Sequence, residues 1–386
     1  MMRWMRRVAS AATLAILPLT IGCAGFFVYP GSTSGGSTVT GNYVYVVNGT
    51  TGTLAGFAVG TGTLTALSGS PYALGFTPTA VAVNPANTIA FVSGYNNAGT
   101  GLIYAFSIGS AGALSALNNG SAVGSAANVA AMDISPDGQW LVALDSIATA
   151  NIVTLDEFTI NSSTGVLTGP TYTSYTVPGT PMVVPHALKF SPNGQLAFVA
   201  LGTAGDLVYT FNTSSSSGAL NPTQSVTFTS VSSDNGLAVS PNGSYLYIAR
   251  SGINGGLAAY SIGSNGALTS LSALPYAAGT QPYSVVVNQA GTDVYVANRA
   301  GGTISGYSVA SSTGALTALS SSPYTSGTSV TALAMDNSGK YLLAANNGGS
   351  PDLEMYSFDS SANLVSTASI ATGTDPTGPV ALATTH

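Results

Sequence analysis

Of the two histidines in this 386-residue chain, one is its last residue, His386, so chemistry in the interior of the sequence rests on His186. Few charges exist to set beside it: after position 23 the only Lys and Arg are Lys189, Arg250, Arg299 and Lys340. An imidazole near its ordinary pKa of about 6.5 can take a proton from water. A guanidinium can hold a carboxylate or a developing oxyanion. His186, Arg250, Arg299 and the acid Asp206 are the candidate catalytic set, and the fold must gather them.

Other chemistries find no support. With Cys23 as the only cysteine there is neither an internal disulfide nor a zinc site of the usual N/S type, and no metal or cofactor is expected. The acidic clusters Asp156-Glu157 and Asp352-x-Glu354 lack the alternating acid-glycine loop of calcium sites and are expected to be solvated strand residues. No Gly-x-Ser-x-Gly elbow occurs, and the Gly-rich stretches have no helix behind them to hold phosphate. The formal net charge is −6, and three of the seven basic residues, Arg3, Arg6 and Arg7, crowd the start of the chain. Without a basic stripe to displace counterions, nucleic-acid binding is set aside.

The elements that must position the four residues are written as a repeat. Phe57, Phe106, Phe158, Phe211, Tyr260, Tyr307 and Tyr356 each end an apolar run. Each is followed by a turn starting at Gly62, Gly112, Gly165, Gly218, Gly266, Gly314 or, in degenerate form, Ala362. The aromatics recur every 47 to 53 residues, a period that fits the four-stranded blade of a β-propeller. Strand-like alternation within each repeat predicts an all-β, seven-bladed propeller over 43–386, with four antiparallel strands per blade. Turns such as Pro136-Asp137-Gly138, Pro192-Asn193-Gly194 and Pro241-Asn242-Gly243 join the first two strands and give Asp137 a structural role. Tyr43 to Asn48 reads as a second strand with no first strand ahead of it. The run Val380 to Ala383 is expected to complete that blade and close the ring, removing open sheet edges.

In an antiparallel blade, the start of strand one and the end of strand two share an edge, so His186, Arg250 and Arg299 are expected on one face, from three consecutive blades. Asp206 joins them from the loop after a second strand. Asp145, at the end of the run Trp140 to Leu144, is a candidate rim ligand on that face. Asp133 and Lys189 hold a register position that is Ala82, Ala238 and Ala334 elsewhere. They are expected to form an ion pair lining the central channel, where each neutralises a desolvated partner, with ligand orientation as a further role.

Arg3, Arg6 and Arg7 followed by the apolar stretch Val8 to Ile21 read as a secretory signal over 1–22, too short to span a membrane and interrupted by Pro18. Cys23 after Thr20-Ile21-Gly22 resembles a bacterial lipobox and is the expected lipidation site, with ordinary secretion as the alternative. Residues 23–42 read as anchor and flexible tether. The location implied is periplasmic or outer-surface lipoprotein, otherwise secreted, with membrane contact only through the lipid.

Tyr45-Val46-Val47-Asn48, Tyr295-Val296-Ala297-Asn298 and the Ser-Pro-Tyr copies at Ser70 and Ser322 resemble the seven-bladed lactonase propellers, which include 6-phosphogluconolactonase-like and YVTN-repeat proteins. Pro185-His186-Ala187-Leu188-Lys189-Phe190-Ser191-Pro192 is similar to that family's histidine run, with His186 at its second histidine, and Asn298-Arg299 matches its asparagine-arginine pair. Ala200-Leu201-Gly202-Thr203-Ala204-Gly205-Asp206 keeps the second acid of an Asp-Leu-Gly-x-Asp-Arg run without its arginine. Arg250-Ser251 replaces an Asn-Glu pair. The resemblance implies a lactone hydrolase using His186 with Arg250 and Arg299. Composition, rich in Ser, Thr, Asn and Tyr, points first to a monomeric binding module at the cell envelope for a carbohydrate, lactone or protein ligand. A structural reading also stands, in which His186 caps a strand and the arginines bond loop carbonyls.

Overall fold

The computed structural model describes residues 41–386 apart from 127, 147–150, 180–181, 213–219, 227–231, 350, 374, 377 and 379. The expectations for the signal, Cys23 and most of the tether lie outside the described residues. Seven separate antiparallel sheets follow one another along the chain. Blade 1 holds Tyr43–Asn48, Thr53–Gly60 and Thr63–Ala66, and blades 2 to 7 begin at Thr77, Val129, Ala187, Ser232, Pro282 and Val330. In blades 2 to 7 the strands run outward in chain order.

Blade 1 is completed from the far end of the chain. Leu382–Thr384 pairs with Tyr43–Asn48 through Val44↔Thr384, Tyr45↔Ala383 and Val46↔Leu382. Val47 donates to the Ala381 carbonyl at 2.9 Å, and Thr385 exchanges bonds with Tyr43 at 2.9 and 3.0 Å. This is the expected clasp, and it leaves every inner strand against two neighbours in a closed ring.

Second strands are buried on both faces, as in Tyr43–Asn48 and Trp140–Asp145, because each sheet packs on the blades to either side. The core is therefore a ring of layers between blades: Leu144, Leu155, Leu188 and Tyr209 share one between blades 3 and 4, and Leu196, Leu237 and Tyr260 another between blades 4 and 5. That packing corrects the expectation for the acidic clusters. Asp156 and Glu157 are 0% and 1% exposed, since their strand, third in its blade, is covered by neighbouring sheets. Thr173 Oγ1 donates to Glu157 Oε1 at 2.5 Å. Asp352 is likewise buried and accepts from the Thr372 amide and hydroxyl at 2.5 and 3.0 Å.

Turn chemistry follows the sequence. Asp137 Oδ1 accepts from the Gln139 amide at 3.0 Å while Gly138 takes φ 71°. Ala362, standing where the other repeats have glycine, is forced to φ 61°, which shows that the turn geometry is imposed by the blade.

Candidate functional site at one mouth of the ring

The inner strands enter on a shared pattern whose second position holds His186, Asn235 and Tyr283 in blades 4, 5 and 6. His186 precedes the strand Ala187–Phe190 and donates its amide to the Ala200 carbonyl at 2.9 Å. Its ring is held beside Gly202, where a Cβ would stand 3.4 Å from His186 Cδ2 and 3.1 Å from Val184 Cβ on a backbone at φ 62°. Only glycine fits that turn.

Blade 5 draws its neighbours inward. Asp234 and Gly202 exchange backbone bonds at 3.1 Å, tying blades 4 and 5. On the other side Asn235 Nδ2 reaches the Pro282 carbonyl at 2.8 Å. Gly236 lets the chains close further, since a Cβ there would meet the Tyr283 carbonyl oxygen at 2.6 Å. Tyr283 thereby reaches His186 across blade 5, edge to face, with ring centroids 6.4 Å apart. Arg299 lays its guanidinium over the same Tyr283 ring, 4.8 Å from its centroid, a favourable cation–π contact. Its amide donates to Gln281 O at 2.9 Å.

Arg250 has a different role from that of Arg299. Its Nε and Nη2 grip both oxygens of Asp234 at 2.5 and 2.9 Å, with Nη2 also 3.4 Å from the Tyr260 hydroxyl. Arg250 and Asp234 are 6% and 1% exposed. This buried fork replaces the expected bonds to loop carbonyls, because the β-bulge at Asp234 sets the acid directly opposite the arginine. Asp206 opens the third strand of blade 4 rather than lying in the loop before it, and is fully buried against Asp234. Burial first, then the Asp234 carboxylate, push its pKa well above the carboxylate range, and the Arg250 charge only partly offsets them. No described donor reaches either buried oxygen of Asp206, so its burial beside Asp234 favours the neutral acid form.

Burial also lowers the pKa of His186. The Arg299 charge lowers it further and Asp234 opposes both. Its imidazole is therefore the neutral base at pH 7, partly exposed at the mouth. Between the loops of blades 5 and 6 opens a cleft of about 500 Å³, lined by Ser251, Gly252, Gly255, Gly279, Thr280, Gln281 and Pro282. Its walls adjoin Arg250 and Tyr283 in sequence, and the wall residue Gln281 accepts the Arg299 amide. Neither His186 nor Arg299 lines that cleft; the two meet on the Tyr283 ring beside it, where a neutral base and a guanidinium could activate water and receive negative charge on an oxygen.

Asp145 stands at the same strand end in blade 3. In blades 1, 6 and 7 that position is Asn48, Asn298 and Asn346, whose amides stitch loops together: Asn298 accepts from the Gly279 amide at 3.0 Å and donates to Ser305 Oγ at 2.9 Å. Asp145 has no amide donors to offer. Its buried Oδ1 meets no donor among the described residues, and burial raises its pKa to about 6. A folded pKa above the unfolded value of about 3.9 means that the carboxyl contributes its full stability below pH 4 and loses it as pH rises through 6. Asp145→Asn should therefore raise the melting temperature at pH 7, with the advantage gone at pH 4 in parallel thermal scans.

Lys189 Nζ lies 3.5 Å from Asp133 Oδ1, while Asp133 Oδ2 accepts the Phe190 amide at 2.8 Å. The pair exists, but the Lys189 side chain is 46% exposed, so it does not neutralise two desolvated charges as expected. Lying three residues along the strand from His186, it is separate from the mouth cluster. The structure thus gathers His186, Arg250, Asp206 and Arg299 around two residues missed in the sequence, Asp234 and Tyr283. A signal for both existed. Asp234 breaks a register position that is proline at Pro78, Pro185 and Pro282, and Tyr283 follows Pro282 as His186 follows Pro185.

The model of the family described as "Lactonase, 7-bladed beta-propeller" matches residues 37–324 and 251–384. No curated protein sequence matches the chain. Among solved structures, a candidate 6-phosphogluconolactonase of Bacteroides uniformis superposes with a TM-score of 0.72 at 19% identity, over 89% of this chain and 99% of that one. The periplasmic gluconolactonase of Pseudomonas aeruginosa does so with a TM-score of 0.70, also at 19% identity and over the same shares. At these identities the likeness is one of fold. With the family model matched along the whole propeller, the chain belongs to the seven-bladed β-propeller lactonase family.

Proposed function

We propose that the chain hydrolyses lactones at the mouth of blades 4 to 6, with His186 as general base and Arg299 as the group that receives the oxyanion. The observation that carries this reading is the meeting, on the single ring of Tyr283, of a neutral, partly buried imidazole and an arginine with no acidic partner among the described residues. In the step proposed, His186 takes a proton from water as the water oxygen bonds to the lactone carbonyl carbon. Arg299 holds the negative oxygen so formed. The ring C–O bond then breaks, and the leaving alkoxide takes its proton from the His186 imidazolium. One water is consumed, and the hydroxy acid ionises in solvent.

Asp234, Arg250 and Asp206 act as positioning residues behind the base. The partly opposing effects of Asp234 and Arg299 on the imidazole keep it basic enough to accept a proton and neutral enough to be ready. The same reading places the protein in the cell envelope, through the signal-like segment 1–22 and Cys23, in keeping with the periplasmic gluconolactonase of like fold. Binding without turnover, as an envelope module, is the competing role.

Initial rates with neutral sugar lactones, followed as acid release at pH 7, separate the two. A positioned general base contributes about 10²- to 10⁴-fold, so His186→Gln should lower kcat/KM by that factor. Arg299→Gln should cost about 10²- to 10³-fold, the range for one oxyanion donor. Turnover by the intact protein no faster than in buffer would leave only binding.

A further inference from the structure

We propose that this mouth selects a lactone bearing no phosphate, and that Asp234 sets the selectivity by neutralising Arg250. The inference rests on the hydrolase reading and names its substrate class. Four basic residues follow Cys23, and the structure accounts for each. Lys340 lies in the turn between Val330–Met335 and Tyr341–Asn346, at the opposite edge of its blade from the mouth. Lys189 is paired with Asp133 away from the cluster.

Arg250 is at the mouth, yet its fork is closed on Asp234 in a two-point grip and is 6% exposed. Phosphate is recognised by the same fork geometry, so Asp234 occupies the donors that a phosphate would need. Among the described residues, Arg299 is left as the one cation facing the mouth without an acidic partner. A phosphate ester would therefore exchange its hydration for one guanidinium in a chain whose net charge is −6. An uncharged lactone loses little on entry, and its single negative charge, formed only as water adds, matches the single arginine.

The test compares kcat/KM for glucono-1,5-lactone and its 6-phosphate on the full chain. The uncharged lactone is expected to be favoured at least tenfold, and Asp234→Asn, which keeps the shape but frees the Arg250 charge, should narrow that ratio at least threefold. Equal or better use of the phosphate ester by the wild-type chain overturns the proposal, whether or not the variant folds. If neither ester turns over, the hydrolase reading fails, and calorimetric titration with gluconate and 6-phosphogluconate decides selectivity alone. Tighter gluconate binding, by tenfold or more, supports it; preference for the phosphorylated acid, or binding of neither, overturns it.

Discussion

Deleting residues 379–386 should leave the chain unable to fold stably. Those residues supply the innermost strand of blade 1 and its contacts with both neighbours. Ala381 and Leu382 are buried, and burial of a leucine contributes about 2 kcal/mol. The bonds of Val47, Tyr43 and Thr385 are lost with them, as is the Thr384 hydroxyl bond to the Met335 carbonyl at 3.0 Å, each contributing about 1 kcal/mol. The sum is on the order of 5 kcal/mol or more, comparable with the whole stability of many domains, about 5–15 kcal/mol. The freed inner edge of Tyr43–Asn48 also invites aggregation. Circular dichroism and thermal scans of the truncated chain should show loss of the cooperative transition. An unchanged melting temperature would mean that the ring does not close through this strand.

The second large effect concerns the buried ion pair. Asp234→Ala leaves the Arg250 charge in a site sealed by the blade 4–5 packing, and removing one partner of such a pair costs about 3–5 kcal/mol. Asp206, relieved of its neighbour's charge, should ionise and recover part of the loss, so Asp206→Asn added to Asp234→Ala should destabilise further. By contrast, the paired change Asp234→Leu with Arg250→Met removes both charges and should cost far less than the single substitution. Chemical denaturation of the four proteins at one pH distinguishes these outcomes. A single variant no less stable than the double would show that the pair carries no such strain.

Much of this architecture was legible in the residues because it rests on spacing. The recurring aromatics fix the blade period, proline-led turns fix the junction of first and second strands, and the missing first strand before Tyr43 reveals the clasp. Edge sharing in an antiparallel sheet was enough to bring His186, Arg250 and Arg299 to one face. Legibility ended where the outcome depends on how sheets pack on one another. Asp156 and Glu157 look solvated along a strand but lie between sheets. Arg250 reads as an oxyanion holder or a bond to loop carbonyls, because its true partner is set opposite it by a bulge that the alternation does not reveal. Tyr283 meets His186 only because Gly236 lets two inner strands approach, a three-dimensional consequence of one missing side chain.

His186 as a water-activating base is the claim on which the functional account turns, and the pH dependence of kcat/KM for a neutral lactone tests it most directly. Burial and the Arg299 charge lower the imidazole pKa, so the base is free above its titration and lost below it. The rate should be level near pH 7 and fall on the acid side with a midpoint below 6.5, and that limb should vanish from the residual rate of His186→Gln. An acid limb that survives the substitution, or a rate that does not exceed spontaneous hydrolysis at any pH, would contradict the account.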